Sequence, residues 1–85
     1  MTTDEDIEEY LEISLKSGNP DRVVRAINDV AHAKGMNELA KKMGVGRASL
    51  YKSLNGEAKP RFETIYKALQ ALGMQLQVKP IKSEN

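Results

Sequence analysis

Arg47, Ser49, Tyr51 and Lys52 fall within the run RASLYK, with Ala48 among them. Their side chains offer a guanidinium fork, a hydroxyl, a phenol and an ammonium, and no carboxylate. Such a set donates hydrogen bonds to acceptor-rich, anionic partners. An Arg fork matches a pair of acceptors such as guanine O6 and N7, and a Lys meets phosphate as a point charge. Bond-making chemistry is not expected of it. The single histidine, His32, lies between Ala31 and Ala33 near a predicted helix end, half exposed or bonded to a helix C-terminal carbonyl, and no base–nucleophile constellation surrounds it. Asp4, Glu5, Asp6, Glu8, Glu9 and Glu12 lack the loop spacing and glycine of a calcium site. Gly44, Gly46 and Gly56 follow no strand, as a phosphate-cradling glycine loop would require. The expectation is a binding protein without catalysis, metal or cofactor.

The elements that must position RASLYK are legible around it. Leu39, Ala40 and Met43 have the spacing of one short helix, 36–43, and Leu50 and Leu54 that of a second, 47–54. Only Gly44-Val45-Gly46 joins them. So short a turn forces a steep crossing, the arrangement in which a second helix stands proud and enters the DNA major groove. Ala40 is small where the helices approach, Gly44 suits a positive φ, and Val45 is expected to plug the corner beneath. With Leu50 and Leu54 inward, Ala48, Ser49, Tyr51 and Lys52 face out, Arg47 lies at the rim, and the amide of Gly46 or Arg47 is placed near a phosphate. Tyr51 has two readings, stacking on a sugar or thymine methyl, or packing on helix 36–43. Lys41 and Lys42 have two readings, approach to phosphates or simple solubilisation of helix 36–43, the second favoured. Lys59 and Arg61, in the loop after RASLYKSL, are placed for phosphate contacts.

Three further helices complete the domain. Thr3 is the expected cap of an acidic helix over 4–17, with Ile7, Tyr10, Leu11 and Leu15 inward. Asn19-Pro20 opens the next, striped by Val23, Val24, Ile27, Val30 and Ala31 and stopped by Gly35. Asn55-Gly56 closes helix 47–54, and Pro60 opens a fifth with Phe62, Ile65, Tyr66, Leu69 and Leu72 inward, Gly73 ending it. Residues 20–72 are thus the helical core. Beyond it Met74, Leu76 and Val78 alternate with Gln75, Gln77 and Lys79, which predicts one strand over 74–79. Its unpaired backbone would be satisfied by a second copy, so Met74, Leu76 and Val78 are the expected dimer seam. Such a two-fold would set two recognition helices about 34 Å apart on an inverted-repeat operator. Residues 80–85 read as a frayed tail.

The chain has 85 residues, which bounds it to a single domain, 1–85, with a small core. No cysteine is present, no apolar run approaches a membrane span, and the acidic N-terminus is not a secretory signal, so a cytoplasmic protein without membrane contact is expected. The net charge is only +1 but is unevenly spread. The first twelve residues are acidic, whereas Lys34, Lys41, Lys42, Arg47, Lys52, Lys59, Arg61 and Lys67 outweigh Glu38, Glu57 and Glu63 in the middle.

The stretch MNELAKKMGVGRASLYKSLNGEAKPRFETIYKALQALGMQL resembles the lambda-repressor-like (XRE-type) helix-turn-helix domains. With EYLEISLKSGNPDRVVRAINDVAHAKGM before it, the chain more closely resembles the HigA-like addiction module antidote proteins, over about residues 9–78. Met36 stands where the broader repressor pattern often has Gln, and Ser53 where it has an apolar residue, with Leu54 taking over the packing. The resemblance implies an all-α fold of five helices with the C-terminal strand pairing across a dimer. It also implies a type II antitoxin that binds a small basic RelE-like or HigB-like ribonuclease toxin and, as a homodimer, represses its operon on double-stranded operator DNA. The acidic helix, through Glu5, Glu8, Glu9 and Glu12, would then face the toxin. A stand-alone phage-type or chromosomal repressor is the alternative, and an interaction adaptor without DNA a third reading.

Overall fold

The computed structural model describes residues 3–81. It consists of α1 (Asp4–Lys16), α2 (Pro20–Lys34), α3 (Met36–Met43), α4 (Arg47–Leu54) and α5 (Phe62–Ala71). Local chemistry accounts for the first two starts. The Thr3 hydroxyl accepts from the Asp6 amide at 3.1 Å, and the Asn19 side chain accepts from the Asp21 amide at 2.9 Å with Pro20 in the first turn. The α3–α4 turn follows the expected design at Gly44, though not at Val45. Gly44 has φ +72°, and the Val45 amide donates to the Ala40 carbonyl at 3.0 Å, closing α3 in a left-handed reversal.

One core unites the helices. Ile7 and Leu11 of α1 meet Ile27, Val30 and Ala31 of α2, and Leu39, Ala40, Leu50, Leu54, Ala68, Leu69 and Leu72 complete it. α2 and α3 are central, each packing on α4 and α5, and α1 lies chiefly on α2. Ser14 is buried in α1 at no hydrogen-bond loss, because its hydroxyl donates to the Leu11 carbonyl at 2.6 Å.

Several expectations are corrected. Among the described residues no strand exists, and 74–79 is irregular. Gly73 reverses the chain at φ +82°, and the Met74 amide donates to the Leu69 carbonyl at 2.8 Å. Met74 and Leu76 then lean on the chain's own core while Val78 is fully exposed. The alternation therefore records burial at Met74 and Leu76 but not at Val78, and among the described residues no second edge is present to form a ladder. α5 begins at Phe62, with Arg61 and not Pro60 flanking its start. Its buried face runs through Ala68, Leu69 and Leu72, so Phe62 and Tyr66 are exposed and stack on each other, ring centroids 5.9 Å apart. Tyr10 and Leu15 also fall outside the core, and so does Val45, which is 42% exposed and lines a groove with Met43 instead of filling the corner. Of the tail 80–85, Pro80 and Ile81 are irregular and exposed, and the rest lies outside the described residues.

Candidate nucleic-acid interface

α4 is held from behind. Leu50 and Leu54, four residues apart, are each 1% exposed and fix the helix against α2 and α3. With that face committed, Arg47, Ala48, Ser49, Tyr51 and Lys52 all stand in solvent. The opposite face contains no acid. Among the described residues the one ion pair is Lys67–Glu63, on α5 at 3.2 Å, so the cations of α4 are unpaired there. Unpaired and solvated, they can be transferred to an anionic partner without breaking an internal contact.

The helix ends carry a second signal. The side-chain caps that open α1 and α2 have no counterpart at α4 or α5. Gly46 immediately precedes α4 and Arg61 immediately precedes α5, each in extended conformation and each exposed. The first-turn amides of both helices are therefore free to meet an external acceptor, with a guanidinium at hand in each case. A shallow groove between α4 and α5, lined by Ser49, Ser53, Arg61, Thr64 and the paired Glu63 and Lys67 over Met43, Val45 and Leu50, brings two of the expected site residues, Ser49 and Arg61, together. Lys59 is exposed in the connecting loop. That loop is shaped by the Asn55 side chain, which accepts from the Glu57 amide at 2.9 Å.

Tyr51 has a neighbour outside both of its readings. It is half out in solvent and stands edge-on to the His32 ring of α2, centroids 6.1 Å apart. His32 is thus a site neighbour that the sequence did not reveal, since nineteen positions separate it from Tyr51 and only the crossing of α2 and α4 unites them. Glu5, Glu8, Glu9 and Glu12 are all exposed on α1, and their spacing puts them on its solvent side, away from the buried Ile7 and Leu11. Glu9 shares a shallow depression with Asp6, Tyr10 and Ile13. The Tyr10 hydroxyl donates to Asp29 Oδ2 at 2.6 Å, which holds its pKa above the ordinary value. Of the residues expected at a dimer seam, Met74 and Leu76 are half-buried on their own core and Val78 is free. Among the described residues no group of His, Cys, Asp or Glu could hold a metal, and no helix is long and apolar enough to cross a membrane.

Residues 1–80 match the family described as "Probable addiction module antidote protein". An uncharacterised protein of Haemophilus influenzae is 37% identical over 78 residues, covering 92% of this chain and 80% of that protein. No solved structure gives a significant match. A family match across almost the whole chain, over the same five helices, places this chain in the addiction module antidote family.

Proposed function

We propose that this chain is the antitoxin of a toxin–antitoxin pair, that it neutralises a small basic toxin from its own operon, and that it represses that operon by binding operator DNA. Antidote family membership supports the first half. The observation that carries the second is the solvent face of α4, where Arg47, Ala48, Ser49, Tyr51 and Lys52 stand together with no acid and no ion pair. Joined to α3 by three residues and fixed by Leu50 and Leu54, α4 has the footing of a recognition helix in a lambda-repressor-like helix-turn-helix. The uncapped starts of α4 and α5, with Arg47 and Arg61 beside them, suit flanking phosphates. In this reading the chain works in the cytoplasm and performs no catalysis. It acts as a homodimer, for which the exposed Phe62–Tyr66 pair and Val78 supply unpartnered apolar surface.

The two activities are separable by experiment. The chain is co-expressed with the product of the adjoining reading frame, and growth and a promoter reporter are followed. Wild type should restore growth and silence the reporter; the pair Arg47→Ala and Lys52→Ala should restore growth and leave the reporter on. Failure of the wild type to restore growth would refute the antitoxin half, and silencing by the double variant would refute the assignment of α4.

A further inference from the structure

The first helix carries a surface that the DNA face does not explain. Asp6, Glu9, Tyr10 and Ile13 are spaced so that they share one flank of α1, and they line one shallow depression. Ile13 is 62% exposed and Tyr10 36%, an apolar strip with carboxylates along its edge. One exposed apolar side chain is ordinary; here two lie side by side in a depression, rimmed by polar groups. Tyr10 is also fixed. Its hydroxyl donates to Asp29 of α2 at 2.6 Å, so its ring is presented without the ordering loss that a free side chain would suffer. Asp6, Glu9 and Asp29 make no ion pair among the described residues, and Arg25 is the cation close enough to act on Tyr10.

We propose that this flank of α1, with Asp29, docks a basic protein that brings an apolar side chain onto Tyr10 and Ile13 and cations over Asp6 and Glu9. We assign that role to the toxin, an assignment that rests on the antitoxin reading above. Charge selects the class of partner: three carboxylates repel nucleic acid and anionic lipid and attract a cationic protein face. Position agrees with it. α1 lies chiefly on α2, and the outer face of α4 is built without it, so a partner here leaves the DNA face open. The opposite flank of α1, with Asp4, Glu8 and Leu15, also has acids and an exposed apolar residue, but no aromatic anchored to a second helix.

Calorimetric titration of the full chain with the purified product of the adjoining reading frame tests the proposal, with promoter binding measured in parallel. Ile13→Lys and Glu9→Lys should each weaken binding by about 30-fold or more, the range of a central interface contact, and leave promoter binding intact. Asp4→Lys and Leu15→Lys, on the far flank, should change it by less than about threefold. Raising salt should weaken the wild-type complex. A wild-type complex untouched by Ile13→Lys and Glu9→Lys, or weakened equally by the far-flank pair, overturns the docking site alone. A wild type that does not bind the adjoining product overturns the antitoxin reading and this proposal with it.

Discussion

Arg47 combines three properties: it is exposed to solvent, has no carboxylate partner among the described residues, and sits in the first turn of an uncapped helix. Its fork can therefore be aimed at base acceptors while the amides behind it meet a phosphate. Arg47→Ala should lower operator affinity by roughly 1–3 kcal/mol and relax preference at one base pair, as read by binding to a set of single-position operator variants. Tyr10 answers to a different measurement. Its hydroxyl is kept protonated first by the bond to Asp29, then by partial burial and by the Asp29 charge, against a smaller opposing effect of Arg25. The folded-state value is above the ordinary 10.0, so the bond contributes fully below about pH 10 and is lost as pH rises through the raised value. Tyr10→Phe should thus destabilise the chain by no more than about 1 kcal/mol near neutral pH, Tyr10 being over a third exposed, and that difference should vanish in strong alkali. Denaturant unfolding of both proteins across that pH range checks it.

The α3–α4 pair was legible in the sequence down to its bounds, because Gly44 and the Leu39, Ala40, Leu50, Leu54 spacing each admit one geometry. Less legible were positions where one apolar residue stands beside several acceptable burial faces. Phe62 and Tyr66 match a helical stripe as well as Ala68 does, and only close approach of α3 and α5 selects the small residue. Tyr10 reads as core by spacing, yet its hydroxyl is better served by Asp29 at the edge. Ile13, off the stripe and among acids, was the unread sign of a surface. The strand failed for a physical reason: alternation fixes which side chains turn inward, but a ladder needs a second edge. The turn itself makes a sharp prediction. An added Cβ meets nothing within 4 Å at Gly44 or at Gly46, so only backbone conformation separates them. Gly44→Ala, at φ +72°, should destabilise by about 1–2 kcal/mol. Gly46→Ser, at φ −74° and able to cap α4, should stabilise by about 0.5 kcal/mol or more. Thermal unfolding of the two variants decides it.

At the scale of the whole molecule, charge is sorted along the chain. Acids crowd α1, cations surround α4 and the start of α5, and α2 lies between, touching Tyr10 through Asp29 and Tyr51 through His32. Such sorting lets one small domain of net charge +1 face two partners of opposite charge. Peripheral cations should then act without regard to sequence: Lys59→Ala or Arg61→Ala should weaken promoter and unrelated DNA alike and reduce the salt slope of binding by about one. The central claim is that the outer face of α4 reads operator DNA. Its most direct test is the fluorescence anisotropy of a promoter fragment and of an unrelated duplex, titrated at about 0.15 M salt with wild type and with the Arg47→Ala, Lys52→Ala pair. Wild type should prefer its promoter by about 10³-fold or more, and the double variant should lose most of that preference while still folding. Equal binding of both duplexes by the wild type, or an unchanged preference in the double variant, would contradict it.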